Sequence, residues 1–140
     1  TPATVPGCST EAHASTHGLP AFGKLKMQIQ RYGTTRRYSD SVVHNGTVYL
    51  VEVPSNLDAD ITGQTENLLA GIDRLLAQAC SDKSRLLMVT IYLADMTDYA
   101  AMNAVWDAWL PEGDAPARAC VQARLANPEF RVEMVLTAGC

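Results

Sequence analysis

The chain has 140 residues, 47% of them hydrophobic and 19% charged, values that suit one soluble globular domain rather than two. Its net charge is −4, and the only basic cluster, Arg31 with Arg36 and Arg37, is too short to outweigh the acidic total. That balance argues against a nucleic-acid or membrane-surface binder, and no apolar run approaches the roughly 18 residues a membrane helix needs.

In chain order, residues 1–26 are dominated by Thr, Pro, Ala, Ser, Gly and His without periodicity. Such a composition does not repay the entropy of ordering by itself, so it reads as a flexible N-terminal extension, with 27–140 as the folded domain. Residues 37–43 and 47–53 are β-rich runs flanking His44-Asn45-Gly46, and Asn-Gly between such runs is a strong hairpin signal. Asp58 or Asp60 then caps a helix running to about Ala79. Its apolar stripe is Ile61, Thr65, Leu68, Ile72, Leu75, Leu76 and Ala79. Gly63 and Gly71 weaken it by about 1 kcal/mol each if interior, so packing must supply its stability.

Residues 86–93 are apolar at nearly every position, as in a strand covered on both faces. Asp95 or Thr97 caps a second helix near 98–110, with Tyr99, Met102, Val105, Trp106 and Trp109 as its buried stripe and Pro111 and Gly113 ending it. Two strands close the chain, near 117–125 and 130–137, joined by a turn at Asn127-Pro128. The order is β-β-α-β-α-β-β. Two helices can cover one sheet face; the other mixes charges with apolar groups, which suits a subunit interface better than open water.

The four cysteines, Cys8, Cys80, Cys120 and Cys140, form no C-x-x-C pair, and irregular spacing in a chain with a large core points to free thiols in a reducing cytosol. A cytoplasmic location follows as the default. His44 is the only histidine beyond residue 26. A catalytic triad, a Cys-His dyad or a His-rich metal site therefore lacks partners, and no phosphate-cradling glycine string occurs. What remains is a strand with Arg118 and Cys120, and a neighbouring strand with Glu133.

Pro116-Ala117-Arg118-Ala119-Cys120-Val121, followed by Arg124-Leu125, resembles the Pro-Ala-Arg signature of the Rid family, the YjgF-like reactive intermediate deaminases. Thr90-Ile91-Tyr92-Leu93-Ala94-Asp95-Met96-Thr97-Asp98-Tyr99-Ala100, then Met102-Asn103, is similar to another block of that family. Val132-Glu133-Met134 sits where the family carries its glutamate, and Tyr38 and the hairpin match as well; the likeness covers about residues 27–138.

The resemblance implies a chorismate-mutase-like α/β fold with two helices on one face of a mixed sheet. It also implies a homotrimer packed around a central barrel, with clefts between subunits. By the same resemblance Arg118 would bind a substrate carboxylate, a task suited to the planar guanidinium fork; an ion pair with a carboxylate such as Glu133 is the structural alternative. Glu133 would activate the attacking water. Cys120 would line the cleft with its backbone N–H rather than act as a nucleophile, and Tyr38 would close the pocket. The implied reaction is hydrolysis of small 2-imino or 2-enamino acids, 2-aminoacrylate-like or aminomuconate-like, to keto acids and ammonia, with neither metal nor organic cofactor.

One departure stands in Leu50-Val51-Glu52-Val53-Pro54. The family usually has a glycine at the place of Glu52, where the backbone approaches the ligand, so by the resemblance Val51 and Glu52 would border the cleft and Glu52 would fill space there. An ionised Glu52 beside Arg118 would weaken activity on small imines, which opens a second reading, a non-catalytic metabolite-binding trimer. RNA cleavage or inhibition of translation, a third reading attached to the family, is disfavoured by the acidic charge.

Overall fold

The computed structural model describes residues 28–140; the expectation for the N-terminal extension lies outside the described residues. The chain forms six strands and two α-helices: β1 (Gln30–Tyr32), β2 (Ser41–His44), β3 (Thr47–Glu52), α1 (Ile61–Gln78), β4 (Leu86–Leu93), α2 (Tyr99–Trp109), β5 (Ala117–Gln122) and β6 (Val132–Gly139). This is the expected α+β order preceded by one further short strand. β1 escaped the sequence reading because three residues carry too little alternation to register as a run.

The hairpin forms as the Asn-Gly signal requires. Asn45 and Gly46 take φ of 49° and 74°, and His44 pairs with Thr47 across them. The sheet order is β1-β2-β3-β6-β4-β5, antiparallel throughout except for the parallel β4–β5 pair. The last two strands are thus not neighbours, contrary to the expectation of a strand carrying Arg118 beside one carrying Glu133. The long, apolar β4 lies between them, because its two-sided apolar character places it centrally.

Asp60 caps α1, accepting a hydrogen bond from the Gly63 N–H at 2.9 Å. Asp95 accepts from the Thr97 N–H and opens a short 3-10 turn, Met96–Asp98, that leads into α2. Both helices pack on one face of the sheet, and the core between the layers is built from Val48, Leu50, Val89, Ile91, Leu93, Val132, Met134 and Leu136 against Leu68, Ile72, Leu76, Met102 and Trp106. Tyr99, expected in the buried stripe, is 42% exposed instead, since it sits in the first turn at the rim.

One polar residue belongs to this core. Gln64 is fully buried; its amide donates to the Glu129 carbonyl at 3.0 Å and accepts from the Arg131 N–H at 2.8 Å. It thereby ties the start of α1 to the chain leading into β6.

The other sheet face has no layer over it among the described residues. Tyr49, Val51, Met88, Val121 and Val135 stand 38–50% exposed there. Among the thiols, Cys120 and Cys140 are free, whereas Cys80 is disulfide-bonded. The expectation of four free thiols therefore fails at Cys80, because spacing along the sequence does not report proximity in the fold. No helix among the described residues is long and apolar enough to cross a membrane.

Candidate functional site

β5 is an edge strand, and its pairing with β4 decides where its side chains go. Arg118 lies opposite Val89 and Cys120 opposite Ile91, both core residues, so Arg118 and Cys120 face the helix layer. There the Arg118 guanidinium carbon sits 5.3 Å from the centroid of the Trp106 ring, and its Nη2 is 3.5 Å from the Tyr99 hydroxyl. A cation over an indole face is held electrostatically and loses little of its hydration. Arg118 makes no ion pair among the described residues, so its charge stays available to an anion.

A cavity of roughly 300 Å³ opens beside it, lined by Asn103, Trp106, Asp107, Ala115, Pro116 and Arg118. Asn103, Trp106 and Asp107 share one face of α2 through i, i+3 and i, i+4 spacing. The Asn103 Oδ1 atom is buried without a hydrogen-bond partner. An unsatisfied buried acceptor is costly and points to a missing donor. In the sequence Asn103 stands only within the string that resembles the family, and its i, i+3 and i, i+4 spacing to Trp106 and Asp107 is the local signal that the three share a helix face.

Cys120 is half-buried against the core, and burial pushes its thiol above the ordinary range while the Arg118 charge pulls it back in part. A thiol held protonated is a poor nucleophile.

The remaining residues stand elsewhere in the subunit. Glu133 pairs across the sheet with Tyr92, on the uncovered face, so the sheet itself lies between it and Arg118. The structural alternative for Arg118, an ion pair with Glu133, is therefore not made. Arg131, two residues before Glu133 in sequence, pairs instead with Asp98 at 3.4 Å. Val51 is on the uncovered face opposite Val135. Tyr38 is 64% exposed in the loop between β1 and β2.

Glu52 pairs with Met134 and so faces the helices, where its carboxylate lies against Gly71 of α1. β6 and β4 separate its strand from β5, about 14 Å at three strand spacings. A single subunit thus gathers Arg118, Cys120, Asn103, Trp106 and Asp107. It does not bring Glu133, Val51, Glu52 or Tyr38 to them.

Comparison with known proteins identifies the family. The family described as endoribonuclease L-PSP matches residues 28–140. The RutC family protein YoaB of Escherichia coli K12 is 51% identical over 113 residues, covering 81% of this chain and 99% of its own length. A RutC family protein of Haemophilus ducreyi is 46% identical over 112 residues, covering 79% of this chain and 96% of its own. The crystal structure of a YjgF-family protein from Neisseria meningitidis superposes with a TM-score of 0.78 at 53% identity, over 81% of this chain and 96% of that one. Yeast Mmf1, at 23% identity and a TM-score of 0.72 over 80% of this chain and 98% of that one, shares the fold. The chain belongs to this family, the Rid proteins of RutC and YjgF type.

Proposed function

We propose that the chain is a hydrolase that deaminates small 2-imino acids in clefts between the subunits of a homotrimer. The observation that carries this reading is the Arg118 guanidinium, without an ion pair among the described residues and held against Trp106 beside a small cavity. A fixed, uncompensated fork of this kind suits a carboxylate of metabolite size.

Water adds to the protonated imine carbon, the carbon–nitrogen bond breaks, and R–C(=NH2+)–COO− plus H2O gives R–CO–COO− plus NH4+. Arg118 would anchor the carboxylate, and Glu133 would take the proton from water. Because Glu133 and Arg118 lie on opposite faces of one sheet, they meet only if Glu133 of a second copy reaches the first copy's Arg118. The exposed apolar groups around Glu133, namely Val51, Val121 and Val135, support burial of that face against another subunit.

Ammonia release from imino acids generated in situ tests the reading. Arg118→Ala should lose roughly 2–4 kcal/mol of transition-state binding, about 30- to 1,000-fold in kcat/KM, and Arg118→Lys should recover little of it. Wild-type kcat/KM in Arg118→Ala would remove the carboxylate role. A chain that binds carboxylates but releases no ammonia from any imine would be the non-catalytic trimer instead. The family description raises RNA cleavage as well; the net charge of −4 speaks against it.

A further inference from the structure

Two contacts orient the Arg118 guanidinium, the Trp106 indole at 5.3 Å and the Tyr99 hydroxyl at 3.5 Å. A hydrogen bond that long restrains direction poorly, so the plane of the indole sets the angle of the fork. Trp106 packs in turn against Trp109 on α2, with ring centroids 5.5 Å apart and planes tilted by 50°. Trp109 is half-buried and borders a cleft of roughly 460 Å³ between α1 and α2, which leaves its ring open space on one side. Two groups outside α2 hold it. Asp73 of α1 accepts a hydrogen bond from the indole Nε1–H at 3.0 Å, and Lys83, in the short turn before β4, lies 5.2 Å from the ring centroid. One takes the edge of the ring and the other its face. Phenylalanine would pack as well at this place; the N–H and its aspartate add direction rather than area.

We propose that Trp109, pinned by Asp73 and Lys83, is a positioning residue that holds the Trp106 indole, and through it the Arg118 guanidinium, at the angle that receives a ligand. The inference rests on the reading of Arg118 as an anion anchor and adds what sets its direction. Asp73, Trp109, Trp106 and Arg118 form a row of contacts from α1 through α2 to β5, so a residue on the far side of the helix layer governs the fork. None of Asp73, Lys83 and Trp109 lines the Arg118 cavity, and none touches what binds there. Their effect passes through geometry alone. A fork free to swing over its indole must be ordered at each binding event, which weakens the bound state without removing any contact from it.

Calorimetric titration of pyruvate into the full chain, beside thermal melts, tests this without turnover. Asp73→Ala and Trp109→Phe should each weaken pyruvate binding, by about three- to tenfold. Asp73→Asn keeps an acceptor for the indole N–H and should recover most of the loss. Asp73→Ala and Trp109→Phe break the same bond, so the double variant should bind no more weakly than either alone. A merely structural role would lower the melting temperature and leave the pyruvate constant of the folded protein unchanged. The proposal is overturned by that result, or by a double variant whose loss is the product of the two single losses. Should Arg118→Ala abolish pyruvate binding while the Asp73 and Trp109 variants bind as wild type does, the anchor stands and this inference falls. Binding that Arg118→Ala leaves intact, or no binding by the wild type, removes both. If pyruvate binding depends on Arg118 and weakens in Asp73→Ala, yet no imine releases ammonia, the inference stands and the hydrolase reading goes.

Discussion

Glu52 stands where the family resemblance implies a glycine, and its surroundings explain how the fold accepts it. A Cβ at Gly71 would stand 2.3 Å from the Glu52 Oε2, so the carboxylate occupies the space that glycine leaves open on α1. Gly71 costs the helix about 1 kcal/mol relative to alanine, which the sequence showed as an unexplained weakness. Burial pushes the Glu52 carboxyl up, the Val53 N–H at 3.1 Å pulls it down, Asp40 raises it and Arg74 lowers it; the net direction is up. A carboxyl raised in the folded state favours folding when protonated. That contribution is fully present below the ordinary glutamate range and is lost as pH rises through the folded value. Glu52→Gln keeps the volume and removes the charge. It should therefore raise the melting temperature near pH 7, and the gain should vanish towards about pH 4. Thermal melts across that range check this; a gain independent of pH would assign the effect to something other than ionisation.

Among the elements, helices and the Asn-Gly hairpin were legible because each is written in local chemistry. Asp60 three residues before Gly63, and two adjacent residues that tolerate positive φ, act within a few positions of themselves. The short β1, the end of β5 at Gln122 and the shift of β6 to Val132–Gly139 depend on which strands become neighbours. Gln64 shows the limit well. It reads as a polar interruption of α1, yet two of its partners lie 65 and 67 positions away in sequence, at Glu129 and Arg131. Replacing it by leucine keeps a similar volume but strands a part-buried carbonyl and a part-buried N–H. Gln64→Leu should destabilise the fold by about 2–4 kcal/mol in urea unfolding. A loss under about 0.5 kcal/mol would mean that these backbone groups find other partners.

At the scale of the whole molecule, the candidate site was half legible. Arg118 and Cys120 carry a recognisable string, and their shared strand parity puts them together on one face. Glu133 reads as their neighbour only while β5 and β6 are taken as adjacent; the insertion of β4, and the parity of Tyr92 opposite Glu133, put it across the sheet. Sequence spacing fixes parity within a strand but not which strands meet. This geometry makes a demand on the assembly: if both residues serve one reaction, each site draws Arg118 from one subunit and Glu133 from another. Arg118→Ala and Glu133→Gln should each be inactive alone. When the two variants are unfolded together in equal amounts and refolded as mixed trimers, some sites combine an intact Arg118 with an intact Glu133. In a cyclic trimer with random assembly about a quarter of the sites do so, and ammonia release should return to about that fraction of wild type. Mixing without refolding should restore nothing. If refolded mixtures remain inactive while each variant keeps its oligomeric state, the two residues do not share a site across subunits, and Glu133 is a charge of the interface rather than the base that activates water.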